Sequence, residues 1–261
     1  MHIETIAYSA TDPGALGAAA APLVGDSLTI KNSKGPAYIL AHWAHNQVDG
    51  SHQLIWPSGH DTTRGWRPVV DAGRIDQRLP LGLRIPVQPQ ELISATIIGS
   101  GIAGDVETGV LLVGYPDLPG VTARLDDYAS VVRRTEALLT VQATLTGTAA
   151  GYTGAELINA DSDLLRANRD YALLGISVST DCAAVVIDGP DTGYSRIACP
   201  GNSSEPELCG AFFAVLSRML GGAECIPIIS SGNKAATFFR LIQNENFGAV
   251  VISAQLALLR A

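Results

Sequence analysis

Short apolar and β-branched runs alternate with turn residues along the whole chain. The runs occupy residues 38–41, 53–56, 92–98, 110–115, 138–145, 171–179, 183–187, 236–242 and 249–256. Gly, Pro, Asn and Asp separate them at intervals of roughly 8–12 residues, which is typical of β-sandwiches and barrels. About eight such strands in each half of the chain is the number found in a jelly roll. The pattern therefore predicts an all-β protein made of two tandem jelly-roll-like β-sandwiches.

Two segments have the character of helices instead. Residues 206–222 place Phe212 and Met219 on one face, with Ser204 as a candidate N-cap and a Gly-Gly pair at the end. Residues 125–139 carry acidic side chains near the start and arginines later, the order that the helix dipole favours. We therefore predict short helical inserts, one of them in a linker between the sandwiches.

Matching residues recur about 135 positions apart. Residues 5–31 aligned without a gap on residues 140–166 give identities at Thr5, Thr11, Ala15, Ala20, Asp26 and Ser27. Further matches, such as Ala95 with Ala236, need only small insertions of the kind that loops accept. The matches predict an internal repeat, with a first sandwich and an N-terminal arm in residues 1–116, a linker in 117–135 and a second sandwich in 136–261.

Composition narrows the range of functions. The 261 residues are 47% hydrophobic and 16% charged, with 17 basic and 25 acidic side chains and a formal net charge of −8. This disfavours disorder, and the absence of a basic cluster disfavours direct binding of nucleic acid. The apolar stretches at 15–24 and 250–259 are too short for the ~20 residues of a membrane span. Residues 1–20 also lack the basic start of a secretory signal. We expect no membrane span and no signal peptide.

The four cysteines, Cys182, Cys199, Cys209 and Cys225, all lie in the second half, and no CxxC pair occurs. A structural zinc site is therefore not expected. The cysteines are either buried free thiols that act as small hydrophobic side chains or, in a protein that works outside the cytosol, two disulfides.

Residues 25–28 match the Gly-Asp-Ser-Leu signature of GDSL-type hydrolases, in which the serine is the nucleophile. That family also needs an Asp-x-x-His near the C-terminus, and no histidine follows His60. Residues 49–52 have this spacing, but they follow Ser27 too closely to allow the crossover connections of a parallel sheet. Recurrence of Asp-Ser at residues 161–162 favours a turn or a cap. We expect Ser27 to be inert and the protein not to be an enzyme.

Residues 99–104 fit the GxGxxG pattern of dinucleotide-binding loops. Such a loop must open a helix whose N-terminus faces the pyrophosphate, whereas a strand-like run at 110–115 follows here. The segment is interpreted as a glycine-rich hairpin, and no cofactor is expected.

Four of the five histidines and all three tryptophans lie within residues 42–66. A metal site is one interpretation, because imidazole binds Zn or Cu, but on a strand His42 and His45 point to opposite faces. A platform of aromatic rings for sugar is a second. We predict instead a contact surface between subunits, formed by Trp43, Trp56, Trp66, His42, His45, Arg64 and Arg67.

In its strand count and repeat the chain resembles the tandem jelly-roll capsid proteins of icosahedral viruses and phages. The resemblance covers nearly the whole chain and includes no motif, so no functional residue is transferred. It implies a structural protein of the virion, assembled in the host cytoplasm, whose copies associate with one another and with other virion proteins. It implies a trimer with a pseudo-sixfold outline or a larger assembly. The alternatives are a glycan-binding β-sandwich module, with tryptophans exposed in a groove, and a GDSL-like hydrolase.

Overall fold

The structure is a computed structural model of the chain. It describes residues 1–13, 17–46, 50–59, 63, 65–66, 69–70, 75–77, 84–98, 103–118, 120, 123–147, 151–160, 164–243 and 248–260.

The first half of the described chain folds into strands β1–β10. They are β1 (His2–Pro13), β2 (Ala18–Ala19), β3 (Ala21–Pro22), β4 (Ala37–His45), β5 (Gly50–Ile55), β6 (Val69–Val70), β7 (Ile75–Gln77), β8 (Ile85–Val87), β9 (Ser94–Ile98) and β10 (Ala103–Tyr115). One sheet, which we name sheet 1A, has the order β1-β10-β4-β8, with β3 beside β1 and β7 also beside β4. The other, sheet 1B, has the order β2-β9-β5-β6.

The second half contains strands β11–β19 and helices α1–α3. They are β11 (Leu125–Asp126), α1 (Tyr128–Arg134), β12 (Thr135–Thr146), β13 (Gly151–Leu157), β14 (Asp170–Val178), β15 (Cys182–Asp188), β16 (Ile197–Gly201), α2 (Pro206–Gly210), α3 (Phe212–Met219), β17 (Ile226–Ser230), β18 (Phe238–Gln243) and β19 (Ala249–Leu259). Two short 3-10 helices, Pro190–Thr192 and Ser231–Ala236, lie in its loops. Sheet 2A has the order β12-β19-β14-β17, with β11 beside β17, and sheet 2B has the order β13-β18-β15-β16.

The two halves have the same strand order, sheet for sheet. All of the described strand pairs are antiparallel. The last strand of each half lies between two others of its A sheet: β10 between β1 and β4, and β19 between β12 and β14. This arrangement is that of a jelly roll. The prediction of an all-β protein with two tandem jelly-roll-like sandwiches and short helical inserts is confirmed.

Alternation of side chains explains most of these strands. In β12 the apolar Val141, Ala143 and Leu145 are buried, while Gln142 and Thr144 between them are exposed. Alternation of buried and exposed side chains with a period of two is expected for a sheet that exposes one face to solvent. β15 departs from it, because its residues from Cys182 to Ile187 are all buried. A strand that is buried on both faces of its sheet is expected to have a continuous run of apolar residues.

A bulge occurs at the same place in the A sheet of each half. Leu40 of β4 and Leu174 of β14 are each skipped in the pairing with the neighbouring long strand. Counted from the bulge in each sheet, Thr5 of β1 in sheet 1A and Thr140 of β12 in sheet 2A occupy equivalent positions. This is the 135-residue offset that the sequence predicts.

Other parts of the predicted alignment differ. Ala95 lies in β9, whereas Ala236 ends a 3-10 helix ahead of β18, so their predicted equivalence is wrong. Residues 161–162 lie outside the described residues. The origin of both halves from one sequence, and the boundaries at 116 and 136, stay predictions.

The helices are shorter than the sequence predicts. α1 begins after Asp127, whose side chain accepts a hydrogen bond from Ser130 N, and it ends at Arg134 because the chain pairs with β19 from Thr135 onward. The predicted helix at 206–222 is divided at Ala211 into α2 and α3. The N-cap position of α2 is Glu205 rather than Ser204. No helix among the described residues has the length and apolar character that a membrane span needs.

The hydrophobic core has two parts. The smaller lies between sheets 1A and 1B and includes Ile6, Ile39 and Leu54. The larger fills the second sandwich and continues without interruption to Trp43 and Leu112 of the first half. The side of sheet 1A that carries Trp43 therefore belongs to the same core as the second sandwich, while the interior of the first sandwich is a separate cluster.

Candidate functional site at the contact between the halves

The outer face of sheet 1A packs against sheet 2B. Trp43 of β4 is fully buried there, and its indole Nε1 donates a hydrogen bond to the Ala183 carbonyl oxygen of β15 at 2.7 Å. Its ring meets the Phe212 ring of α3 edge-on, with 5.5 Å between centroids. A buried indole N–H requires a polar partner, and here the other half supplies it.

A polar cluster closes one side of this contact. Asp26 Oδ2 accepts hydrogen bonds from Ala7 N at 2.8 Å and from the Tyr152 hydroxyl at 2.6 Å. Asp26 Oδ1 accepts from Arg196 Nη1 at 3.2 Å. The Arg196 guanidinium also lies 3.9 Å from the centroid of the Tyr152 ring, and the Arg196 carbonyl accepts from Thr5 N at 2.8 Å. These contacts join β1 and the loop after β3 to β13 and the loop before β16.

Burial raises the pKa of Asp26, although the Tyr152 hydroxyl, Ala7 N and Arg196 oppose that shift. Burial of this carboxyl group thus outweighs the contacts that favour its charged form. Nothing in the local sequence identifies Tyr152 or Arg196 as its partners, because they lie 126 and 170 positions away.

The Gly-Asp-Ser segment has a structural explanation in this cluster. Gly25 adopts a φ of +92°, and a Cβ there would lie 3.1 Å from the Arg196 guanidinium. The Ser27 hydroxyl accepts a hydrogen bond from Thr29 N at 3.1 Å, which is a local turn. The predicted capping role of Ser27 is confirmed.

His42 lies inside the first sandwich, in a hydrogen-bonded network with Tyr8 and His52. His52 Nε2 is 2.7 Å from Asn46 Oδ1, and Tyr8 Oη is 3.1 Å from His52 Nδ1 and 2.8 Å from His42 Nε2. Because an amide oxygen only accepts, His52 Nε2 donates to it and His52 Nδ1 accepts from Tyr8. The Tyr8 oxygen then accepts from His42 Nε2. Every contact has a donor and an acceptor when both histidines are neutral.

Burial keeps these rings neutral. It lowers the pKa of His52 to about 3 and that of His42 well below its usual range, where His52 adds to the effect. His45 points to the opposite face of β4, as alternation predicts, toward the second half. Burial lowers the pKa of His45 to about 4, against the opposing charge of Asp181. Within the described part of the chain, no three His, Cys, Asp or Glu side chains form a group that could hold a metal ion.

The predicted contact surface is mostly internal. His42, Trp43 and His45 are buried within the chain, and Trp56 is buried in the first sandwich. Trp66 is half-buried, with its ring edge-on to His42 at 4.9 Å between centroids. Arg64 and Arg67 lie outside the described residues. For the buried residues, the expected contact with another subunit is corrected to contact within the chain, and an exposed tryptophan groove for sugar is not formed by Trp43 or Trp56.

The four cysteines are free and buried. Cys199 Sγ lies 3.4 Å from the Cys209 carbonyl oxygen. Burial raises the pKa of Cys209 to about 11 and that of Cys225 to about 12. The thiols therefore stay protonated and pack as small apolar side chains.

The outer face of sheet 2A is uncovered where β12 and β19 form it. Thr140 pairs with Gln255 and Gln142 with Ser253 across the two strands. The Thr140 hydroxyl donates to Gln255 Oε1 at 2.8 Å, and Gln142 Nε2 donates to Ser253 Oγ at 3.0 Å. α2 lies against Gly175 of β14 and covers that side of the sheet.

No protein-family model matches the chain, and no curated protein matches its sequence. Among solved structures, the chain is similar to the PBSX exported protein XepA, with 11% identity, a TM-score of 0.31 and coverage of 98% of this chain and 86% of that one. It is similar to the major capsid protein P2 of bacteriophage PM2, with 8% identity, a TM-score of 0.25 and coverage of 99% and 98%. It is also similar to the STIV MCP, with 11% identity, a TM-score of 0.20 and coverage of 98% and 97%.

Proposed function

We propose that the chain is a structural protein that assembles with copies of itself, as a component of a virion shell. The observation that carries this proposal is the pairing of two jelly rolls of one strand order, joined through a continuous core. A shell is built from units that keep one shape while they pack against neighbours on several sides. A chain whose halves are fixed to each other by buried contacts has that property.

The buried polar groups also support a structural role. Asp26, Arg196 and Tyr152 bond one another across the two halves, and Tyr8 joins His42 to His52 within the first. Buried hydrogen-bonded networks hold their members in fixed positions. These groups are therefore used to fix the relative position of the strands.

The surface favours association. β19 contains no charged residue, and β12 contains none after Glu136. β12 lies at an edge of sheet 2A, and a long uncharged edge strand invites pairing or packing with another chain. Closed symmetric packing of copies removes that hazard, and two similar sandwiches per chain suit a trimer with a pseudo-sixfold outline.

The test is light scattering after size exclusion over a hundredfold range of concentration, followed by electron microscopy. The proposal predicts a mass that is a multiple of the 27.2 kDa chain, with three copies as the smallest stable unit, and particles or regular arrays at high concentration. A chain that stays monomeric throughout and forms no particles would contradict it.

A further inference from the structure

The two halves differ in what covers their A sheets. The outer face of sheet 1A is covered by sheet 2B, through Trp43 and through the bond from Thr5 N to the Arg196 carbonyl. In sheet 2A, the position equivalent to Thr5 is Thr140, which is exposed. One contact between an A sheet and a B sheet is thus made inside the chain, and the remaining A face and B face are 2A and 1B.

The uncovered part of sheet 2A is suited to burial. It consists of alternate residues of β12 and β19, among them Leu138, which is 71% exposed, and Val251, which is 39% exposed. Its polar side chains already bond one another, Thr140 to Gln255 and Gln142 to Ser253. Satisfied polar groups are less costly to remove from water than unpaired ones.

The outer face of sheet 1B is formed by described strands that contain no charged residue. His52, Leu54, Ala95 and Ile97 are buried in the first sandwich. Alternation therefore places Ser51, Gln53, Ile55, Ser94, Thr96 and Ile98 on the outer face. Ser94 is exposed and the others are half-buried, except Gln53, which is buried where its amide donates to the Thr63 carbonyl oxygen at 3.2 Å. The strands of this sheet contain no Asp, Glu, Lys or Arg.

A groove of about 370 Å³ adjoins this face, with Ala19, Leu28, Leu92 and Ser94 among its lining residues. Leu92 is 53% exposed there. Apolar side chains of a partner can therefore be received beside the face as well as on it.

We propose that sheet 2A of one copy packs on sheet 1B of the next, repeating between chains the contact that sheets 1A and 2B make within one chain. This inference rests on the proposed self-assembly and names its surfaces. Because the two faces are different, the contact is head-to-tail, and such contacts close into rings when the rotation between copies allows. Apart from Glu136 at the start of β12, the described strands β12, β19, β5 and β9 contain no charged residue, so copies that each carry a net charge of −8 meet where few like charges lie.

The test uses one charged substitution on each face. Gln142→Arg places a cation in the centre of the 2A face, and Ser94→Arg places one on the 1B face, both at exposed positions. Each variant alone is expected to lose assembly, with the dissociation constant raised at least a hundredfold. Leu164→Arg is the matched control, because Leu164 is 52% exposed in the loop between β13 and β14 and belongs to neither face. It is expected to assemble as the unchanged protein does.

Mixing the two variants identifies the geometry. The Ser94→Arg copy keeps its 2A face and the Gln142→Arg copy keeps its 1B face, so an equimolar mixture is expected to form a dimer and to stop there. Formation of this dimer also demonstrates that both variants fold. Gln142→Glu and Ser94→Glu repeat the test with the opposite charge, and circular dichroism of each variant checks folding independently.

Two other outcomes would overturn the inference. If Gln142→Arg abolishes assembly while Ser94→Arg does not, the contact joins two identical 2A faces. If the unchanged protein assembles and both variants still assemble, other surfaces hold the copies together, and the proposed function stands without this inference. A monomeric unchanged protein would instead contradict the proposed function itself.

Discussion

The two halves of the chain share a strand order but differ in the histidine, tryptophan and cysteine side chains that they contain. All five histidines and all three tryptophans lie in the first half, and all four cysteines lie in the second. The first sandwich encloses a hydrogen-bonded network around Tyr8, whereas the second is filled by aliphatic, phenylalanine and thiol side chains. The alternation of apolar and polar residues and the placement of turns therefore set this topology, while the side chains that fill the core can differ.

The difference also supplies separate probes of the two halves. Tryptophan fluorescence reports on the first half, with Trp43 at the contact, and thiol reactivity reports on the second. If the shared core makes the halves one folding unit, both probes should change together on unfolding in urea. Removal of contacts between the halves should make the two probes change at different urea concentrations.

Trp43→Ala is expected to have the largest effect. It removes the bond to the Ala183 carbonyl and the contact with Phe212, and truncation of a buried tryptophan costs about 3–5 kcal/mol. Urea denaturation followed by circular dichroism and thiol reactivity measures the loss. Trp66→Ala is the control, because Trp66 is only half-buried, and it should cost clearly less. Equal losses in the two variants would contradict the importance given to the contact.

Acid is expected to weaken the first half before the second. Burial lowers the pKa of His2 and His45 to about 4 and that of His52 to about 3, while a histidine in the unfolded chain titrates near 6.5. The unfolded chain therefore takes up more protons as the pH falls below 6.5. The stability present above pH 6.5 is lost progressively toward pH 4, by about 3 kcal/mol for each histidine.

Asp26 has the opposite effect on stability. Because burial raises its pKa, the folded chain takes up this proton before the unfolded chain does, which adds stability in acid, but Asp26 is a single group. Thermal unfolding between pH 7 and pH 4 measures the balance, with fluorescence and thiol reactivity recorded in parallel. Exposure of the cysteines before any change in tryptophan fluorescence would contradict this order of events.

Asp26→Ala is expected to cost about 2 kcal/mol, because it leaves the Tyr152 hydroxyl and Ala7 N without their acceptor. The Asp26–Arg196 ion pair contributes less to this cost than a fully buried pair would, since the Arg196 side chain is 31% exposed to solvent. Glu136→Ala is the control. It removes an exposed ion pair with Arg169 and should change stability by less than about 0.5 kcal/mol. A loss of stability in Asp26→Ala as small as that in the control would mean that the polar cluster does not hold the two halves together.

Ser27→Ala is expected to have the smallest effect, below about 1 kcal/mol, because Ser27 bonds only its own turn at Thr29 N. Gly25→Ala should cost more, since it requires a positive φ and meets the Arg196 guanidinium. Thermal unfolding of both variants checks this order. Ester hydrolysis by the unchanged protein that disappears in Ser27→Ala would contradict the structural role.

Local pattern made the fold predictable. Alternation along β12 and the continuous apolar run of β15 identify strands, and the turn residues between runs limit their number. The offset of Thr5 and Thr140 follows from sequence identity and agrees with the register of the sheets. Helix α1 was predicted too long, because pairing with β19 from Thr135 onward decides where it ends.

The contact between the halves was not predictable. Aromatic and histidine side chains are common at interfaces between subunits, so the sequence predicts a surface position for Trp43, His42 and His45, whereas Trp43 lies at a contact inside the chain. Its other members, Tyr152 and Arg196, are separated from Asp26 by more than a hundred residues. Only the packing of one sandwich on the other brings them together.

The central claim is that one A sheet is covered within the chain and its equivalent is left open for another copy. Amide hydrogen exchange, recorded by mass spectrometry below and above the concentration at which copies associate, tests it most directly. In the dilute chain, β12 is expected to exchange faster than β1, whose outward amides at Thr5 and Ala7 are bonded to Arg196 and Asp26. On association, β12 should become protected while β1 stays unchanged. Exchange in β12 that matches β1 at every concentration would contradict the account.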